Sequence, residues 1–212
     1  MFITFEGMEG CGKTTQVERL ARALTSRGIR VVRTFEPGGT PAGEKIRRIL
    51  LDRDNRDLAS MAELCLYEAD RAQHVAVVIR PALERGDWVI CDRFFDATVV
   101  YQGMARGQDL ELIRDLNRTV TGGIRPDLTF LLDCPVEEGL KRALRRNQSL
   151  SDKGQDRFER EAAVFHEAVR EGYLEIARME PDRFVVINAS LGPDEVEAVV
   201  LQSVEPLVER RR

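Results

Sequence analysis

The stretch Gly7-Met8-Glu9-Gly10-Cys11-Gly12-Lys13-Thr14-Thr15, read with the apolar run Phe2–Phe5 before it and the helical period after it, decides the fold. Its glycines let the backbone curl until successive N–H groups point inward, which makes a nest for an anion. A helix expected from Thr14 to about Arg27 adds the positive end of its dipole at the same place. That helix should stop at Gly28, a residue suited to the left-handed position after a helix. The strand–loop–helix context is the one a phosphate-binding loop requires. Gly7, Met8, Glu9, Gly10, Cys11, Gly12, Lys13, Thr14 and Thr15 are therefore the candidate triphosphate-binding residues. Lys13 would neutralise the β- and γ-phosphates, and the Thr14 hydroxyl would ligate Mg²⁺.

The same alternation continues outward. Strand candidates are Phe2–Phe5, Ile29–Thr34, Trp88–Cys91, Leu128–Leu132 and Phe184–Ile187, each a near-continuous apolar run of the kind covered on both faces. Helical stripes fill the gaps: Leu58, Met61, Ala62, Cys65, Leu66 and Ala69; then Phe158, Ala162, Phe165, Val169 and Ile176; then Val196, Val199, Val200, Val204 and Leu207. Pro206 is expected to end or kink the last of these. Short strands alternating with helices predict an α/β chain with a P-loop NTPase fold, its five-stranded parallel sheet covered by helices on both faces. The least apolar segment, Asn147 to Asp156, is flanked by arginines and reads as a short mobile lid at about 142–157. No linker or repeat divides the chain, so residues 1–212 are expected to form one domain.

Composition narrows the function. With 32 basic and 36 acidic residues the net charge is −4, which leaves no whole-molecule field for a polyanion and argues against nucleic acid as a partner. The four cysteines form no CxxC pair and the two histidines stand alone, so reduced thiols in a cytoplasmic protein are expected. No apolar run approaches the roughly 20 residues of a membrane span, so no membrane is expected either. A guanine-reading N/TKxD segment and a DxxG turn are both missing. That points away from a GTPase switch and towards an enzyme with a second small substrate.

Trp88-Val89-Ile90-Cys91-Asp92-Arg93 ends an apolar strand in a carboxylate and a guanidinium, and ligands of open α/β sheets sit at such carboxyl ends. Asp92 and Arg93 should lie beside the phosphate loop. At Leu132-Asp133-Cys134-Pro135, Pro135 reads as a first helical residue and Asp133 or its neighbour as a helper of that helix start. Tyr67 and Arg71 are neighbours on one helix face and could hold a heterocycle by stacking and hydrogen bonding, although amphipathic helices carry such pairs routinely.

Together these segments resemble the thymidylate kinases, which phosphorylate dTMP to dTDP. The matching stretches are Phe5 to Thr15, Glu36-Pro37-Gly38-Gly39-Thr40, Glu44-Lys45-Ile46-Arg47, Ala69-Asp70-Arg71-Ala72-Gln73-His74, Asp92-Arg93-Phe94, Tyr101-Gln102-Gly103, Arg125-Pro126-Asp127-Leu128 and Asp156-Arg157-Phe158-Glu159, in the family's order. The resemblance implies ATP with Mg²⁺ as co-substrate and dTMP as acceptor. It implies that Glu9 lies near the sugar 3′-hydroxyl and that Arg47 and Arg93 hold the acceptor phosphate. Asp92 would orient the arginine and the magnesium's water shell. Tyr67 would stack on thymine, Arg71 would read an exocyclic oxygen, and Thr98 would be a polar contact to the base. Tyr101 would exclude a ribose 2′-hydroxyl, with Gln102 beside that wall, and Glu36 belongs to the same acceptor set. A nucleoside kinase, with Glu36 as base, is the nearest alternative. The family's extra cation comes from the P-loop or the lid; Met8, Glu9, Gly10 and Cys11 offer none, so it falls to Arg142, Arg146 or Arg157. The resemblance further implies a homodimer. Phe35, Phe94 and Ala97 depart from common family residues at their positions.

Overall fold

Why the strands form a sheet with two cores is visible in β1, Phe2–Glu6, and β3, Trp88–Asp92. Side chains alternate across a strand. Ile3, Phe5, Trp88 and Ile90 enter a large core on one face, whereas Phe2, Val89 and Cys91 enter a smaller one with Val75, Ile79 and Ala82. The computed structural model describes residues 1–55, 57–149, 157–159 and 161–209, with residues 146–149 described in backbone only. The remaining strands are β2 (Val31–Phe35), β4 (Leu128–Asp133) and β5 (Phe184–Asn188). All pairings are parallel, in the order β2-β3-β1-β4-β5.

The helices are α1 (Lys13–Ser26), α2 (Pro41–Leu51), α3 (Ser60–His74), α4 (Arg80–Glu84), α5 (Phe95–Thr98), α6 (Leu110–Thr121), α7 (Val136–Ser149), α8 (Ala163–Met179) and α9 (Pro193–Glu209). Wider π-helical turns at Val75–Ile79 and Val99–Ala105 join α3 to α4 and extend α5. Register sets up the site. Phe5 lies opposite both Asp92 and Phe130, so the loop leaving β1 emerges beside the carboxyl ends of β3 and β4.

The five expected strands and the first helix are present, with Gly28 at φ 78° after α1. Four details differ from the sequence reading. Coverage on both faces holds for β1, β3 and β4 but not for the edge strands, where Phe35 and Val186 are exposed. The stripe Met61, Ala62, Cys65 and Ala69 faces out, and α3 buries Glu63, Leu64, Glu68, Asp70, Arg71 and His74 instead. Helix α8 begins after Phe158 and Ala162, and α9 runs through Pro206 to Glu209. Asp133 does not start α7: its carboxylate takes a two-pronged ion pair from Arg170 at 2.6 and 2.9 Å, and Pro135 precedes the helix.

Candidate active site

The loop after β1 closes on itself. Gly10 is left-handed at φ 73°, and a Cβ there would sit 2.0 Å from the Gly139 carbonyl, so only glycine lets the loop lie against α7. The buried Lys13 ammonium donates to the carbonyls of Gly7 at 3.0 Å and Met8 at 2.7 Å, inside the curl. The Thr14 hydroxyl donates to Asp92 Oδ2 at 2.6 Å across the β1–β3 gap. A hydroxyl and a carboxylate in contact at the mouth of a phosphate loop are hard oxygen donors that fit Mg²⁺, an ion that keeps most of its ligands as water and phosphate.

A cleft of about 550 Å³ opens from this cradle. Lys13 and Thr14 line one end; Glu36, Arg47, Tyr67, Arg71, Arg93, Thr98, Tyr101 and Gln102 line the rest, with Glu9 and Asp92 between them. The structure thus brings every expected acceptor residue to one wall. Arg93 stands at φ 69°, a strained conformation for a non-glycine residue that turns its side chain back towards the loop. Its backbone is braced on both sides: its N–H donates to Phe5 O, and the next amide, Phe94 N, donates to the buried Glu6 at 2.7 Å. Its guanidinium donates to Glu9 Oε1 at 2.9 Å and to the hydroxyls of Tyr101 and Tyr173 at 3.1 Å each. The expectation that Asp92 orients this arginine is corrected: Asp92 receives Thr14, and Glu9 with the two tyrosines orients Arg93.

These contacts set the local electrostatics. Burial pushes the Glu9 carboxyl up, but Arg93 and Lys13, helped by the Tyr101 hydroxyl, outweigh it and hold Glu9 below the usual carboxylate range. Glu6 has no such surplus of cations; burial, then Asp96, raise it to about 8 despite Arg93.

Arg71 is the hub of the far wall. Its five N–H groups meet Glu36 at 3.0 Å, Glu68 at 2.9 Å, Asn117 at 2.8 Å, Thr98 at 2.8 Å and the Phe94 carbonyl at 3.4 Å. The long bond to Phe94 is the one a ligand oxygen could share. Glu36 also binds His74 Nδ1 at 2.8 Å, whose Nε2 reaches Thr34 at 2.5 Å. Asp70 accepts from Gly38 N at 3.1 Å, and burial followed by the charge of Glu36 raises it to about 6. Glycine at 43 is forced by this packing, because a Cβ would meet Asp70 Oδ1 at 2.1 Å.

The thymidylate kinase family profile matches residues 5–200 of the chain. The chain is 58% identical over 194 residues to the thymidylate kinase of Desulfosudis oleivorans, covering 91% of this chain and 90% of that one. It is 54% identical over 209 residues to that of Geobacter sulfurreducens, covering 99% and 97%. The crystal structure of thymidylate kinase from Ehrlichia chaffeensis superposes with a TM-score of 0.77 at 36% identity, covering 96% of this chain and 98% of that one. The chain belongs to the thymidylate kinase family.

For a thymidylate kinase family member, its lid arginines are the informative departure. Arg157 does not join the cleft. It is buried, with its guanidinium 2.6 Å from Glu63 Oε2 and donating to the Leu50 carbonyl at 3.1 Å. Arg142 donates to the Ala189 carbonyl at 2.9 Å and pairs with Glu138. The side chain of Arg146 and residues 150–156 of the expected lid lie outside the described residues. Phe94 is fully buried against Phe2, and the exposed Phe35 lies under Arg47.

Sequence reading missed Phe158 and Glu159, which line the cleft just after the lid, and Tyr173, which braces Arg93. A signal for Tyr173 existed: it shares a face of α8 with His166, two turns earlier. No local pattern marked Glu6, whose role depends on the turn of a distant strand.

Proposed function

We propose that the chain transfers the γ-phosphoryl group of ATP to the phosphate of dTMP, giving ADP and dTDP, with Mg²⁺ as the accompanying cation. One observation carries the reading. The Lys13–Thr14 cradle and the arginine-lined wall of Arg47, Arg71 and Arg93 open into a single cleft, so donor and acceptor can meet end to end. Mg²⁺ would be held by Thr14, and through water by Asp92. When bound it supplies charge neutralisation between the two phosphates.

The protein's own work is positioning. A phosphate monoester has a second pKa near about 6 and is mostly a dianion at neutral pH, so the acceptor needs no general base. Arg93 and Arg47 fix its phosphate, and Lys13 with the loop amides fixes the triphosphate, so two polyanions are aligned against their repulsion. Glu9 meets the sugar 3′-hydroxyl, Tyr67 stacks on the base, and Arg71, Thr98 and Gln102 read its polar edge. Tyr101, held at its hydroxyl by Glu9 and Arg93, excludes a ribose. The cation for the transferring group is assigned to Arg142 or Arg146 on α7, because Arg157 is buried with Glu63, whereas the Arg142–Glu138 pair is only half-buried.

The reading extends to one domain over residues 1–212, working as a homodimer in the cytoplasm. The dimer is supported by the outward stripe of Met61, Ala62, Cys65 and Ala69 on α3, an apolar face that a second copy would cover. Four free cysteines suit a reducing compartment. The decisive test is ADP release with dTMP, dUMP, dCMP, AMP and thymidine as acceptors. Fastest turnover with dTMP is expected, and a preference for thymidine would favour a nucleoside kinase instead.

A further inference from the structure

Two buried polar groups face each other behind the acceptor wall. Among the described residues, Glu9 Oε2 has no hydrogen-bond donor, and neither ring nitrogen of His166 has a partner. His166 is wholly buried on α8, and its Nδ1 stands 3.7 Å from that same Oε2. The other oxygen of Glu9, Oε1, already accepts from Tyr101 at 2.6 Å and Arg93 at 2.9 Å. A buried polar group left unmet costs about 1–3 kcal/mol. Here two of them lie roughly half an ångström beyond bonding range of each other. A small rotation of either side chain would join Nδ1 to Oε2.

The placement follows from α8. Tyr173 and His166 lie two turns apart on one face of that helix, which is otherwise apolar where Val169 and Ile176 pack. Tyr173 takes hold of Arg93 at 3.1 Å and of Glu6 at 2.7 Å. His166 stands in the matching position for the other half of the Arg93–Glu9 pair. A neutral imidazole has one N–H. Placed on Nδ1, that proton faces the Glu9 oxygen that has no donor among the described residues.

We propose that His166 is a positioning residue for Glu9: its Nδ1–H binds Oε2 and holds Oε1 towards the 3′-hydroxyl of the deoxyribose acceptor. The inference rests on Glu9 being the sugar contact of a dTMP kinase. Its effect must therefore travel through that hydroxyl, and an acceptor without it should not feel the loss.

The test compares dTMP with its 3′-deoxy counterpart as acceptors for the unaltered chain, His166→Phe and His166→Gln. For His166→Phe the KM for dTMP should rise about tenfold, as expected for one lost hydrogen bond to a charged group. The KM for ATP should hold, and that for the 3′-deoxy acceptor should change less than about twofold. His166→Gln, which keeps an N–H donor, should recover most of the loss. Equal losses on both acceptors, or none on either, would overturn the proposal. An unaltered chain that treats the two acceptors alike would sink the sugar contact of Glu9, and one that turns over neither would sink the kinase reading; each takes the proposal with it. Nitrogen-15 spectra of the native chain give a check independent of any variant's folding, since His74 and His166 are its two histidines. A His166 ring protonated at Nδ1 is expected, and an Nε2–H tautomer refutes the idea.

Discussion

The donor cradle and the acceptor wall share Glu9, yet they are built on different plans. The cradle is nine consecutive residues whose backbone curls around an anion, with one cation, Lys13, bonded only to the loop itself. The wall is assembled from β2, α2, α3, β3 and the turns after it, and two of its cations, Arg71 and Arg93, are bonded to the distant carboxylates of Glu36 and Glu9. In the first, function and stability are separable. In the second they overlap, because Arg71 and Arg93 also neutralise buried carboxylates.

That contrast can be broken most directly by removing one cation from each half. Lys13→Ala should lower kcat by about 10²–10³, the scale of one lost transition-state contact, while the melting temperature stays within about 2 °C. Arg71→Ala leaves Glu36 and Glu68 buried without their shared partner. Stranding charge this way costs about 3–5 kcal/mol, or roughly 10 °C in melting temperature for a chain of this size. The KM for dTMP should rise with it while the KM for ATP does not. Equal stability losses in the two variants, read by calorimetry, would mean the halves do not differ in plan.

A smaller effect tests packing without removing charge. Gly43→Ala drives a Cβ into Asp70, which lies 2.1 Å from where it would sit. Overpacking of this kind costs about 1–3 kcal/mol. Thermal unfolding should show the loss, and dTMP binding should weaken through the Gly38–Asp70 bond.

Acidity probes the wall further. Burial raises Glu6 to about 8 and Asp70 to about 6, above the ordinary carboxylate values of 4.5 and 3.8. The folded chain therefore keeps protons that the unfolded chain has released. Their contribution to stability is full below the unfolded values and is lost as pH rises, first through about 6 and then about 8. The melting temperature should fall by a few degrees between about pH 5 and 8.5, and Glu6→Gln should flatten the upper part of that slope. An unchanged slope in Glu6→Gln would show that Glu6 is ionised throughout. Last, Arg48→Ala removes an exposed pair with Glu44 that belongs to neither half. A change of less than about 0.5 kcal/mol is expected, which sets the baseline for the rest.

The stripes of α3 show why the site was only partly legible. Helical periodicity put Leu58, Met61, Ala62, Cys65, Leu66 and Ala69 on one apolar stripe, yet Met61, Ala62, Cys65 and Ala69 are exposed and Leu58 and Leu66 only half-buried. Tertiary structure turned them out, because the opposite face is buried by its polar pairings: Glu63 with Arg106 and Arg157, Arg71 with Glu36, Glu68 and Asn117, His74 with Glu36, and Asp70 with the Gly38 amide. The same pairing withdrew Arg157 from the lid. From the residues alone it stood beside Arg142 and Arg146 as an equal, because no local pattern shows that a glutamate nearly a hundred positions earlier claims its guanidinium.

The sequence by itself determined the P-loop, the five parallel strands and most of the polar residues that line the cleft. The loop and strands depend on neighbours a few positions apart, and the cleft residues stood in motifs specific enough to identify the family. Only the tertiary structure decided which oxygen of Glu9 is taken, what orients Arg93, why Asp92 meets Thr14 and where His166 points. Those are matters of contact between segments 78 to 157 positions apart. Burial then makes each such contact strong, through a low dielectric that a linear pattern of residues does not record.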